Sequence, residues 1–107
     1  MTRAIVVRYE TRAEAAAENQ RLVEQVFAEL AAEDPGGVRY AVFRLADGVG
    51  FVHVVYQETD DDPLSRSAAF AEFQHGIGDR LAGPPVRTEA TLIGSYGFLS
   101  PAHTIRY

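Results

Sequence analysis

VRYAVFRLADGVGFVHVVYQ, residues Val38 to Gln57, reads as a β-hairpin, and its two faces decide the fold. Asp47-Gly48 is a favoured two-residue connection, since a type I′ turn asks for positive φ at both central positions and matches the twist of the strands. That connection pairs Arg44 with Phe51, Val42 with His53 and Tyr40 with Val55. Alternation then places Ala41, Phe43, Leu45, Val52 and Val54 on one face, which is almost wholly apolar. Tyr40, Val42, Arg44, Phe51, His53, Val55 and Gln57 share the other, where polar groups stand among apolar ones. An antiparallel sheet with one solvated face shows a polar side, and this hairpin has none. Both faces need cover. The expectation is that helices pack on the almost wholly apolar side and a second copy of the chain covers the mixed one.

Working outward, Arg3 to Tyr9 (RAIVVRY) is a β-branched run and reads as a first strand. Thr11 and Glu14 have the spacing of a capping box, opening a helix to about Asp34 with Leu22, Val23, Val26, Phe27 and Leu30 at helical spacing. Asp34-Pro35-Gly36-Gly37 stops it. Asp62-Pro63 signals a second helix, with Ser65 as an alternative cap, and Phe70, Phe73, Ile77 and Leu81 form its apolar stripe. Gly76 and Gly78 predict a bend there. Arg87 to Phe98 reads as the last strand, with Gly94 and Gly97 marking a bulge or bend. The order β-α-β-β-α-β is the split arrangement called ferredoxin-like, an α+β fold. Residues 1–98 are expected to form one domain and 99–107 a tail.

Composition narrows the function. At 107 residues with 47% hydrophobic and 23% charged content, the chain is an ordinary globular length and mix. No apolar run approaches a bilayer's thickness and no leader is evident at the start, so a cytoplasmic protein without membrane attachment is expected. A net charge of −5 argues against nucleic acid as a partner. Zero cysteines exclude disulfides and thiolate chemistry. The ten basic residues are all arginine, spread along the chain.

His53 is the leading candidate for chemistry, because an imidazole on the mixed face can act as acid or base. It can equally be a histidine satisfied inside an interface. Tyr40 shares its face and could orient a phenolic or carbonyl ligand. Arg44 and Gln57 could line the same cavity, and His75 on the second helix could face its opening or simply be solvated. No two histidines have metal-ligand spacing, so no metal is expected. Asp60-Asp61-Asp62 is accounted for by the positive end of the helix that follows. A concave pocket is expected on the helix-free face, lined by His53 or Tyr40.

RAIVVRYE in the first strand, FVHVVYQE in the third, AFAEFQHGI in the second helix and TEATLIGSYGF before the tail resemble the antibiotic biosynthesis monooxygenase family. The resemblance spans about residues 3 to 98 and implies a dimeric α+β barrel with a small apolar or aromatic ligand. It also implies monooxygenation without a cofactor, in which His53 abstracts a proton and Tyr40 and Arg44 position the substrate. Members acting on polyketide anthrones carry tryptophan and asparagine in the cavity. This chain has no tryptophan, and its only asparagine, Asn19, falls on the first helix. A non-catalytic dimeric module that binds a small ligand is the alternative.

Overall fold

A computed structural model describes residues 3–98; the expected tail 99–107 lies outside the described residues. Strand β1 (Arg3–Glu10) leads through a 3-10 turn (Ala13–Ala15) into helix α1 (Ala16–Glu33). Strands β2 (Val38–Arg44) and β3 (Gly50–Gln57) form the hairpin. A 3-10 turn (Pro63–Arg66), helices α2 (Ala68–Gln74) and α3 (Ile77–Arg80), and strand β4 (Val86–Ala90) complete the order. The sheet runs β2-β3-β1-β4 and every neighbouring pair is antiparallel. This is the ferredoxin-like α+β arrangement expected from the order of elements.

The hairpin register is the expected one: Tyr40 faces Val55, Val42 faces His53 and Arg44 faces Phe51. The turn is not type I′. Gly48 has φ of 83° while Asp47 stays at negative φ, and Gly48 N–H donates to the Leu45 carbonyl, closing a wider loop. Asp47 holds that loop itself, its Oδ1 accepting from the backbone N–H groups of Val49 and Gly50 at 3.0 and 2.8 Å. Two residues of local turn chemistry changed while the pairing sum, and so the faces, stayed the same.

The assignment of faces is reversed. The helices pack on the mixed side: the Phe27 ring of α1 stacks on Tyr40 at 5.0 Å, and the Phe73 ring of α2 lies 5.4 Å from His53. Tyr9, Phe51 and Phe73 belong to one buried cluster with Leu22, Val23 and Val26 of α1, and Val7, Tyr40, Val42 and Val55 pack against it. The mostly apolar face is the open one, where Val6, Val52 and Val54 are half-buried and Phe43 is 45% exposed. Alternation fixed which residues share a face. It could not say which face takes the helices, because polar groups are tolerated under a helix once paired. No buried side-chain N or O among the described residues lacks a hydrogen-bond partner.

Three local expectations also change. Thr11 makes no cap; its hydroxyl donates to the Val49 carbonyl and it bridges to Leu81. Ser67, not Ser65 or Asp62, caps α2, accepting from Phe70 N–H at 3.0 Å. The helix does break at Gly76, whose φ of 74° separates α2 from α3. Strand β4 ends at Ala90, opposite Ala4 near the start of β1, and residues 91–98 belong to no strand among the described residues.

Candidate functional site: a polar chain between sheet and helices

Five side chains from five elements meet in the layer between the helices and the sheet. On β3, alternation turns His53 toward the helices, and Tyr40 of β2 and Tyr9 of β1 flank it. The Tyr40 hydroxyl is 2.7 Å from His53 Nδ1 and the Tyr9 hydroxyl 2.7 Å from Nε2. Asn19 of α1, completely buried, donates from Nδ2 to the Tyr9 oxygen at 2.9 Å. Arg80 of α3 donates from Nε to Asn19 Oδ1 at 3.1 Å. Its other nitrogens donate to the His75 and Phe73 carbonyls at 3.3 and 2.5 Å, and its guanidinium lies 5.3 Å from the centre of the Phe73 ring. These carbonyls are free because α2 stops at Gly76, so the helix break is what lets Arg80 be buried without a carboxylate.

The chain has a direction. Arg80 has only donors, so it fixes the Asn19 amide with Oδ1 toward itself and Nδ2 toward Tyr9. Tyr9 then accepts from Asn19 and is best satisfied by donating its own hydrogen to His53 Nε2. A neutral imidazole carries one hydrogen, which this places on Nδ1, donating to the Tyr40 oxygen. Two tyrosine hydroxyls and one imidazole N–H supply three hydrogens to the two bonds that join them. One hydrogen is left over, and the direction of the chain places it on Tyr40. Arg80's charge polarises the bonds toward that hydroxyl.

Burial sets the protonation states. His53 is pushed down to about 4 by desolvation, so the ring is neutral at physiological pH. Desolvation pushes Tyr9 up to about 12 against the opposing pull of Asn19 and Arg80. Tyr40 is raised by burial, and then by the neighbouring Tyr9. Arg80 is lowered, chiefly by desolvation. The site at neutral pH is a neutral Tyr-His-Tyr relay with a buried cation at one end.

The other candidates lie apart from this chain. Arg44 sits at the hairpin end, donating to the Gly48 carbonyl at 2.9 Å and to Gln20 Oε1 at 2.7 Å. Gln57 shares His53's face but lies two strand repeats away, about 13 Å along β3, and takes no part in the chain. His75 is exposed and contributes only its carbonyl. The expected pocket on the helix-free face lined by His53 or Tyr40 is not found, since both side chains point into the helical layer. Two shallow clefts of about 200 and 230 Å³ are lined by neither His53 nor Tyr40, one bordered by Arg3, Tyr56 and Leu92 and the other by Arg8, Tyr9, Pro84 and Val86. Among the described residues no group of three or more His, Asp or Glu could hold a metal ion.

Sequence reasoning missed Tyr9, Asn19 and Arg80, although each carries a signal. Asn19 stands in register with Leu22, Val23 and Val26, and Arg80 with Phe73 and Ile77, so both are polar residues on an apolar stripe. Tyr9 faces the helices because β1 pairs with β3, its neighbour Val7 lying opposite His53.

No family model matches the chain, and neither does any curated protein. Solved structures do. Rv0793 from Mycobacterium tuberculosis is 20% identical, with 89% of this chain and 98% of that one aligned at a TM-score of 0.71. A Nitrosomonas europaea protein provisionally named an antibiotic biosynthesis monooxygenase is 16% identical over 86% of this chain and 90% of its own, with a TM-score of 0.69. A third structure, of an antibiotic biosynthesis monooxygenase, is 15% identical over 88% of this chain and its full length, with a TM-score of 0.64. The fold is thus the one shared by antibiotic biosynthesis monooxygenase-like proteins. At these identities the likeness is one of backbone and carries no residue roles.

Proposed function

We propose that the protein is a cofactor-independent monooxygenase of the antibiotic-biosynthesis type, acting on a small aromatic or polyketide-like substrate beside Tyr40 and His53. The observation that carries the proposal is the Tyr40–His53–Tyr9–Asn19–Arg80 chain, a directed polar network in a layer that apolar residues could fill. The surplus Tyr40 hydrogen suits the carbonyl or phenolic oxygen of an activated aromatic ring. Charge gathering on that oxygen as a C–H proton leaves is stabilised by a donor already oriented and polarised. Neutral His53 keeps its electron pair on Nε2, where Tyr9 donates, so it takes up the substrate proton only as the Tyr9 hydroxyl gives up that bond, and its weak basicity confines the reaction to acidic substrates. The resulting carbanion reduces oxygen; the peroxide formed on that carbon takes back the abstracted proton, and loss of the carbon's second hydrogen with cleavage of the O–O bond leaves a carbonyl and releases water. Arg44, Gln57 and His75 are assigned a lesser role, in substrate contact at the margins.

The apolar open face fits a homodimer joined through the sheet, working in the cytoplasm. No helix among the described residues is long and apolar enough to cross a membrane. A second reading, a dimeric module that binds a small ligand without turnover, is favoured by one observation: neither surface cleft is lined by His53 or Tyr40. Oxygen uptake with a panel of anthrones and hydroquinones separates the two. An oxygenase should lose about 10²–10⁴ of its rate in His53→Gln, the span of general-base catalysis, and a smaller share in Tyr40→Phe. No uptake above the His53→Gln background, with ligand still bound, leaves the binding module.

A further inference from the structure

Tyr9, His53, Asn19 and Arg80 are buried, whereas Tyr40, on the edge strand β2, is half-buried. The relay therefore meets the outside at Tyr40. Two rings stand against it there, Phe27 of α1 stacked at 5.0 Å and Phe70 of α2 edge-on at 6.5 Å, and both are themselves half-buried. The two helices hold these rings unequally. Helix α1 has 18 residues and sets Leu22, Val23 and Val26 in the core. Helix α2 has seven residues, buries Phe73 and has extended backbone at both Ser67 and His75. A helix of that length is not stable by itself, and few buried contacts make a segment prone to local opening.

The two ends of α2 are held differently. Arg80 grips its last turn through the Phe73 and His75 carbonyls. Its first turn hangs on one carboxylate of α1: Glu29 accepts from the Ser67 hydroxyl at 2.7 Å and from the Ala68 and Ala69 N–H groups at 3.2 and 2.8 Å. That contact lies beside the two rings, Glu29 being close to Phe27 in α1 and Ala69 adjoining Phe70. We infer that the seam between α1 and α2 is the entrance to the relay, with Phe70 the ring that an incoming flat aromatic molecule displaces from Tyr40 and Glu29 the latch that holds it shut. The inference rests on the reading of Tyr40 as the group that meets the ligand. It also names what is admitted. The two rings against Tyr40 offer its surplus hydrogen no oxygen or nitrogen, so a ring bearing a hydroxyl or carbonyl replaces Phe70 with a gain of one hydrogen bond. A plain hydrocarbon replaces one ring by another with no such gain.

The probe is 1-naphthol, with naphthalene as the control that lacks the oxygen. The chain has no tryptophan, so naphthol fluorescence reads binding directly. Stopped-flow association should be about 10-fold faster in Glu29→Gln than in the wild type, the scale of a hydrogen bond to a charged group. Phe70→Ala should also bind faster, and adding Glu29→Gln to it should give no further gain, because the obstruction is already gone. Hydrogen exchange of the wild type needs no variant. The Ala71 amide donates to the Ser67 carbonyl, not to Glu29. It should exchange through local opening, with a shallower urea dependence than the paired amides of β1 and β3. Equal association rates in wild type and Glu29→Gln, additive gains in the double variant, naphthalene binding as tightly as naphthol, no naphthol binding by any of these proteins, or Ala71 exchanging only in global unfolding would each overturn the inference. Oxygen uptake is not a readout here. Gated binding without turnover supports the entrance and sinks the oxygenase, whereas turnover with an α2 that opens only globally overturns the entrance alone.

Discussion

Buried His53 should give the protein an acid-labile stability that a single substitution removes. The ring is neutral in the folded state with its pKa near 4, against 6.5 when unfolded. Between those values the unfolded chain binds a proton that the folded one does not, so stability falls as pH falls. The contribution is fully present above pH 6.5 and is lost on acidification toward pH 4. The gap, at ~1.36 kcal/mol per pH unit, amounts to about 3 kcal/mol. Its slope between pH 6.5 and 5 should approach ~1.4 kcal/mol per pH unit, one proton's worth. Carboxylates held below their usual range, such as those of Glu29 and Asp47, lose their contribution only at lower pH. The window therefore belongs largely to the histidine. Urea unfolding at fixed protein concentration, in half-unit pH steps, gives the slope for wild type and for His53→Gln. A nearly flat variant against a steep wild type is the expected outcome. Equal slopes would mean that His53 titrates normally and that the dry Tyr-His-Tyr relay is misplaced.

Phe51 is almost fully buried and stacks on Tyr9 at 5.6 Å, so Phe51→Ala should lower stability by about 3–5 kcal/mol in the same urea assay. Gly76 breaks the second helix at a left-handed φ of 74° with open space around its Cα, so Gly76→Ala should cost about 1–2 kcal/mol through backbone strain alone. It should also loosen Arg80, read as faster exchange of the amides flanking the break. Glu29 accepts from the Ser67 hydroxyl and from the Ala68 and Ala69 N–H groups, tying α1 to the start of α2. Its carboxyl is held below the usual range, so Glu29→Gln should lower the melting temperature at pH 7 and make little difference once pH falls below its folded pKa.

Much of the fold is legible in the residues, and the failures share a cause. The hairpin register follows from alternation about Asp47-Gly48, although the turn adopted a wider loop because the Asp47 carboxylate caps Val49 and Gly50. The break at Gly76 follows from local backbone preference. The side that takes the helices is not a local property. It depends on whether His53 and Tyr40 find partners, and those partners come from Tyr9 and Asn19, 44 and 10 residues from their own bonding neighbours in the chain. Strand propensity alone likewise carries β4 to Phe98, but its pairing with β1 ends with Ala90 opposite Ala4. His53 and Tyr40 were identifiable as a pair from their shared face. Asn19 and Arg80 become identifiable once a polar residue on an apolar stripe is treated as a signal.

The site proposal stands or falls on whether a substrate-like molecule reaches the relay. The most direct measurement is long-range 1H–15N correlation of the His53 ring, labelled and neutral at pH 7, before and after saturation with an anthrone. The free protein should show hydrogen on Nδ1 and an accepting Nε2, and the bound state should shift both nitrogens as the ligand takes up the Tyr40 hydrogen. Ring signals that do not move under a saturating ligand, or shifts confined to Phe43 and Val54 on the open face, would place binding elsewhere and contradict the assignment.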